Sequence, residues 1–261
     1  MPTPAEIARS FGLDAERYDR TRPRYPAAMV ERITAALPGR VVLDVGTGTG
    51  IAARQFRAAG CRVLGVEPDE RMAAVARRHG VEVEIATFEE WAPEGRTFDG
   101  VIAGQTWHWV DPVAGAGQAA RVLTGGGRIA LFWNAFDPSP EVVARFAEAY
   151  RAAAPDLPFT MWGKPETSAA DPFHGRAADG IRRSGRFEEP ELWTFAWEHT
   201  YTRAEWLDLV PTSGGHNLLP PEELEALLTH LAAVLDDTVT IGYRTMVTTA
   251  TLIPQQRIRR A

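Results

Sequence analysis

The stretch Val41-Val42-Leu43-Asp44-Val45-Gly46-Thr47-Gly48-Thr49-Gly50 constrains this chain more than any other. An apolar, β-branched run broken by one acid enters three glycines at alternate positions, and alanine and aliphatic residues then recur at helical spacing over residues 51–59. A buried strand that turns on glycines into a helix lets a ligand approach the main chain closely. The alternation continues with apolar runs at 62–66, 81–85, 100–104 and 128–133. Helix-patterned stretches lie at 71–78 and 112–123, the second followed by the stop signal Gly125-Gly126-Gly127. Strand and helix in strict alternation predict a doubly wound α/β fold with a parallel sheet. In such sheets the ligand crevice lies beyond the carboxyl ends of the strands, which directs attention to residues 44–50, 67–69, 86–89, 104–109 and 133–136.

The rest of the chain reads differently. Ser139 before Pro140 and Glu141 predicts a helix to about residue 154, with a cap, a proline at its first position and an acid facing the dipole. Residues 155–190 are rich in Pro, Gly and Ala with weak periodicity, and read as loops and short helices. Residues 192–201 and 238–252 are β-patterned; they flank helices expected at 203–210, with the capping-box spacing Thr202-x-x-Glu205, and at 221–235.

Composition bounds the function. With 261 residues, 45% of them hydrophobic, the chain can bury a substantial core. A formal net charge of −6 disfavours a phosphate backbone as the main partner. The one cysteine, Cys61, allows no intrachain disulfide framework and suits a reducing compartment. The opening MPTPAEIARS carries proline and charge where a secretory signal would be apolar, and no run reaches the length of a membrane span. The expectation is a soluble, cytoplasmic protein with no nucleic-acid or membrane partner, monomeric or homodimeric.

The glycine loop is G-x-G-x-G, with Ile51 where a dinucleotide fingerprint needs spacing toward a third glycine. Asp44, two positions before the loop, would repel a pyrophosphate and favour the ammonium of a cofactor bearing an amino acid. Glu67 ends the second apolar run 21 positions after Gly46, close to the ~20 expected for an acid that accepts ribose hydroxyl bonds. His108, between Trp107 and Trp109 after the fourth run, is the candidate general base, since imidazole titrates near neutrality. If strand geometry persists there, Trp107 and Trp109 share one face and His108 points to the other. Trp107, Trp109, Trp133 and Trp162 are candidate walls for an apolar acceptor. The remaining histidines, at 79, 174, 199, 216 and 230, lack metal-ligand spacing, and no metal is expected.

These residues resemble class I S-adenosylmethionine-dependent methyltransferases, particularly the small-molecule group labelled type 11 and its trans-aconitate-methyltransferase-like relatives. The resemblance rests on Tyr18-Asp19-Arg20-Thr21-Arg22-Pro23-Arg24-Tyr25-Pro26, on Leu43 to Gly50, and on Gly65 to Met72. It continues through Phe98-Asp99-Gly100-Val101-Ile102-Ala103-Gly104-Gln105-Thr106-Trp107-His108-Trp109 and the loop of residues 121–127. It implies a seven-stranded, mostly parallel sheet with the last strand antiparallel, residues 192–201 and 238–252 forming the closing hairpin, and a small helical cap.

The resemblance implies one methyltransferase domain over 1–261. Residues 1–30 would be a lid or arm, 31–136 the cofactor-binding core, 137–190 and 203–236 acceptor-side insertions, and 191–202 and 237–253 the hairpin strands. The implied cofactor is S-adenosylmethionine, held by Asp44, Gly46, Thr47, Gly48, Gly50, Glu67, Pro68, Met72, Thr87, Phe88, Gly104 and Gln105, with Tyr18 and Arg22 from the arm. Relatives commonly have Asp where Thr87 stands, which shifts adenine recognition toward the Phe88 amide. The acceptor would meet Tyr25, Trp107, His108 and Trp133. The expected activity is methyl transfer to an oxygen or nitrogen of a small metabolite. An S-adenosylmethionine-binding protein with a sensor role or another catalysis is the alternative, because fold does not fix function. An NAD(P)-linked oxidoreductase is disfavoured by Asp44 and Ile51, and RNA methylation by the acidic balance.

Overall fold

The computed structural model describes residues 7–8, 10–153, 171–214 and 216–254. These fall into two compact units. One is drawn from Met1–Arg24, Ala135–Ala169 and Ala196–Arg244, the other from Tyr25–Asn134, Ala170–Phe195 and Thr245–Ala261.

In chain order the regular elements are α1 (Ala15–Thr21), α2 (Ala27–Ala35), β1 (Val41–Val45), α3 (Ile51–Ala58), β2 (Arg62–Val66), α4 (Glu70–Arg78), β3 (Glu82–Glu84), β4 (Phe98–Gly104), α5 (Pro112–Val122) and β5 (Leu123–Phe136). They continue with α6 (Pro140–Ala153), α7 (Asp171–Ser184), β6 (Glu191–Thr202), α8 (Arg203–Leu209), α9 (Pro221–Val234) and β7 (Thr238–Thr251). The strands form a seven-stranded sheet of order β3-β2-β1-β4-β5-β7-β6. β1 pairs in parallel with β2 and β4, β2 with β3, and β4 with β5. β7 runs the other way: Thr249 Oγ1 donates to the Ile129 carbonyl, Thr245 Oγ1 to Asn134 Oδ1, and the Asp137 amide to the Gly242 carbonyl, so β7 numbers fall as β5 numbers rise. The expected doubly wound sheet with an antiparallel last strand is observed.

The first two strands follow their hydrophobic runs residue for residue, because a strand buried on both faces needs a continuous apolar run. Three boundaries differ from expectation. β3 covers only residues 82–84, and Ile85, expected inside it, is exposed. β5 begins at Leu123, where the helix ends, and the glycine triplet lies within the strand beside a register shift between Phe98 and Gly100; there the glycines permit a bulge rather than a stop. Within 155–190, expected as loops and short helices, residues 171–184 form one 14-residue helix. Ala177 and Ile181 are buried, and Gly180 lies so near Pro112 that a Cβ there would sit 2.5 Å from the Pro112 carbonyl oxygen. Packing against α5, rather than helix propensity, stabilises α7.

The first unit has its own core. Val142 and Phe146 of α6, Trp206 of α8, Leu227 and Leu231 of α9 and Tyr243 of β7 are buried together. The expected capping box is present: the Glu205 amide donates to Thr202 Oγ1 while the Thr202 amide donates to the Glu205 carboxylate.

Candidate functional site

In the second unit the carboxyl ends of β1, β2 and β4 meet around the glycine loop. Gly46, Gly48 and Gly50 have φ of +61°, +57° and +83°, a region where a side chain is strained, which accounts for glycine at each alternate position. The Thr106 hydroxyl, just beyond β4, donates to the carbonyls of Gly46 and Gly104, both at 3.1 Å, and joins the loop to the end of the fourth strand. Gly65 admits Thr47: a Cβ at Gly65 would lie 2.6 Å from the Thr47 methyl. Thr106 and Gly65 stand within the resembling motifs but were assigned no role from the sequence. A glycine inside a strand pattern was the available signal for close backbone approach at Gly65.

Two buried acids flank the loop. Asp44 Oδ2 accepts the Thr47 hydroxyl at 2.7 Å, while its Oδ1, fully buried, has no hydrogen-bond partner. Burial, with the Glu67 charge adding to it, raises Asp44 to about 7, against the pull of the Thr47 bond. Glu67 accepts the Gly48 amide at 2.8 Å on one oxygen and the Asp69 amide at 3.0 Å on the other, bridging loop and turn. Burial raises its pKa as well, opposed by those two bonds. Pro68 stands in that turn, and Asp69 caps α4 by accepting the Arg71 and Met72 amides. Met72 lies beneath the loop, its methyl 3.5 Å from where a Gly48 Cβ would be. Asp44, Gly46, Thr47, Gly48, Gly50, Glu67, Pro68 and Met72 are thus brought together.

After β3, Thr87 is exposed and its hydroxyl donates to Glu90 at 3.1 Å. The Phe88 ring is buried, 6.0 Å from the Trp107 ring and 6.4 Å from the Trp91 ring. Gln105 has a strained φ of +56°, and its side-chain amide donates to the Asn134 carbonyl at 3.1 Å. Gly104 makes room for Tyr25, whose hydroxyl would lie 2.6 Å from a Cβ there; the Tyr25 ring packs edge-on against Phe132.

Residues 107–109 form one 3-10 turn, so the condition under which Trp107 and Trp109 would share a strand face is not met. Trp107 is buried against Gly115, where a Cβ would meet its ring at 3.0 Å. The Trp109 ring lies tilted against His108, with ring centres 4.4 Å apart and planes at 46°. Trp133, also buried, donates its indole N–H to His108 Nδ1 at 3.2 Å. Phe173 of α7 stacks on the imidazole at 4.6 Å. Burial, with a contribution from the Arg176 charge, lowers His108 to about 4. A neutral imidazole whose Nδ1 accepts a bond carries its proton on Nε2 and presents a donor there. His108, expected as a general base, has its Nδ1 engaged by the Trp133 indole.

Tyr18 and Arg22 belong to the other unit. The Arg22 guanidinium lies 4.9 Å from the Tyr18 ring centre, Nη2 donates to the Thr212 carbonyl at 2.8 Å, and its buried Nε has no partner. Trp162 lies outside the described residues.

Residues 43–131, which hold this loop, both acids, the end of β1 and all of β2 to β4, match the family described as methyltransferase domain. This chain is similar to methyltransferase domains over that segment, about a third of its length. An uncharacterized methyltransferase of Mycobacterium bovis is similar to it, 36% identical over 134 residues that cover 51% of this chain and 55% of the relative. A ubiquinone biosynthesis O-methyltransferase of Hahella chejuensis is 36% identical over 115 residues, covering 41% of this chain and 48% of the relative. The chain thus spans about half the length of these relatives. A structure described as a putative type II methyltransferase from Anaeromyxobacter dehalogenans has the same fold, with a TM-score of 0.63, 22% identity, and coverage of 90% of this chain and 99% of that one. This chain has its glycine loop, both acids and His108 inside the matched segment. Among its described residues no helix is long and apolar enough to cross a membrane.

Proposed function

We propose that this protein is an S-adenosylmethionine-dependent methyltransferase that transfers a methyl group to an oxygen or nitrogen of a small metabolite, releasing S-adenosylhomocysteine. The observation that carries this reading is the pair of buried acids at adjacent strand ends, Asp44 with one oxygen unpartnered and Glu67 fastened to the loop amide of Gly48. A buried orphan oxygen beside a glycine turn fits an ammonium and not a diphosphate. Glu67 uses one lone pair on each oxygen for the backbone, which leaves acceptor capacity for ribose hydroxyls. The residues therefore fit the cofactor. Its sulfonium would supply an activated methyl group, so the protein's share of the work is alignment and exclusion of water. The Gly46–Gly50 loop would hold the methionine portion, Met72 would pack beneath it, and the Phe88 amide would face the adenine. The relative named as an O-methyltransferase supports an oxygen acceptor. Calorimetric titration with S-adenosylmethionine and with NAD(P)H, followed by a tritiated-methyl transfer screen, tests the proposal. Tight nicotinamide binding without sulfonium binding would overturn it.

Proton linkage gives a second check. Asp44 has a folded pKa near 7 against an ordinary 3.8, so the folded, unliganded protein holds a proton that the unfolded chain releases. Its stability should therefore fall as pH rises from about 4 to about 7, with Glu67 acting in the same direction. Asp44→Asn should flatten that slope in urea denaturation. Cofactor affinity should move the opposite way, strengthening toward pH 8 because an ammonium requires the carboxylate. Titrations near pH 6 in buffers of different ionisation enthalpy should show proton release, and equal heats in all buffers would refute the linkage.

A further inference from the structure

We propose that the second unit carries a ligand site apart from the glycine loop: a cleft between α5 and the end of α7 that binds a small phosphate monoester bearing hydroxyl groups.

The cleft has a volume of about 420 Å³ and is lined by Ala114, Gly117, Gln118 and Arg121 of α5 together with Ser184 and Arg186. Glu89 completes its wall. Ligand sites typically span ~300–1,000 Å³, so this one suits a molecule of sugar-phosphate size and not a dinucleotide. A Cβ at Gly117 would meet nothing within 4 Å, which leaves the helix surface open there. No residue of the glycine loop, and neither buried acid beside it, lines the cleft.

Two guanidinium groups supply donors. Arg121 donates to Gln118 Oε1, and Gln118 Nε2 donates to the Trp91 carbonyl at 2.9 Å, so this cation is anchored through a neutral amide. The half-buried Arg186 side chain has no hydrogen bond or ion pair among the described residues, while its carbonyl accepts the Ile253 amide at 2.9 Å. No described carboxylate pairs with either group, whereas Arg182 and Arg183, just before them on α7, pair with Glu189 and Asp179. Two uncommitted positive charges match the charge of about −2 on a phosphate monoester at neutral pH, and its oxygens accept forked guanidinium bonds.

The other polar groups accept. Ser184 Oγ gives its proton to the Ile181 carbonyl at 2.7 Å, so a ligand finds only a lone pair there. Glu89 Oε1 accepts the Asp111 amide at 3.1 Å, and Oε2 has no described partner. That bond fastens Glu89 at the start of α5, while Arg121 stands in its last turn, so acid and cations mark opposite ends of the cleft. A bound ester would place its phosphate toward the arginines and its hydroxyl donors toward Glu89.

Calorimetric titration of the whole protein with glycerol 3-phosphate and glucose 6-phosphate tests the site, with inorganic phosphate and the carboxylates glycerate and gluconate run in parallel. The expected result is saturable binding of at least one ester, tighter than inorganic phosphate or the carboxylates and unchanged by saturating S-adenosylhomocysteine. Arg186→Gln should weaken it about tenfold or more, the loss of one charge-assisted bond. Gly117→Leu fills the cleft from an open helix position without removing a charge, and should abolish binding in a protein whose circular dichroism is unchanged. Glu89→Gln should weaken the ester without weakening inorganic phosphate. No saturable binding of either ester, a preference for the carboxylates, inorganic phosphate bound as tightly as the esters, displacement by S-adenosylhomocysteine, or wild-type affinity in any of the three variants would each overturn the inference. If Gly117→Leu does not fold, Arg186→Gln decides. Failure of S-adenosylhomocysteine to bind would count against the proposed methyl transfer, and the ester titrations would still decide this site.

Discussion

Glu67→Ala should weaken S-adenosylmethionine binding by about 100-fold or more, measured by calorimetric titration. Each hydrogen bond to a charged group contributes about 1.5–3 kcal/mol, and two ribose hydroxyls would be released together. The same substitution strips the Gly48 and Asp69 amides of their acceptor, so the loop loses its tie to the turn before α4. Glu67→Gln separates the two effects. Its amide oxygen can still accept from Gly48 but the charge is gone, and an intermediate loss of about tenfold is expected. Wild-type affinity in Glu67→Ala, in a protein shown by circular dichroism to be folded, would remove the main support for the site.

Gly46→Ala should be the most damaging single methyl in the glycine loop. A Cβ at residue 46 would lie 2.1 Å from the Thr106 methyl carbon and 2.6 Å from its hydroxyl, at a φ of +61°. Left-handed backbone costs an alanine about 1–2 kcal/mol, and overpacking typically adds about 1–3. A fall of about 2–5 kcal/mol in urea denaturation is expected, with cofactor binding lost because Thr106 must leave the Gly46 and Gly104 carbonyls. Thr106→Ala in the same chain removes the methyl and the hydroxyl and should recover part of the stability but not the φ strain. Full recovery would show that backbone conformation plays no part at Gly46.

The parts of the site legible in the sequence were those with short-range causes. β1 and β2 end where their apolar runs end, and the alternate glycines occupy the positions whose φ is positive. Glu67 was found by spacing alone, because a βαβ unit of ordinary length brings residues about 20 apart to neighbouring strand ends. The same kind of reading failed at α7, where alanine and glycine gave little periodicity and the helix depends on packing against Pro112. At residues 107–109, beyond the fourth run, the chain turns, so the side-chain alternation of a strand does not apply there.

By itself the sequence determined the doubly wound sheet, the glycine loop and the sign of the charge beside it, since chain periodicity and the steric demands of glycine act over a few residues. Only the tertiary structure decided the protonation of that site. Asp44 is held near 7 by burial beneath the loop, and His108 is a donor because Trp133, 25 residues later and one strand over, presents its indole N–H to Nδ1. A residue type names a set of possible protonation states, and the selection among them is made by neighbours that the fold brings from elsewhere in the chain.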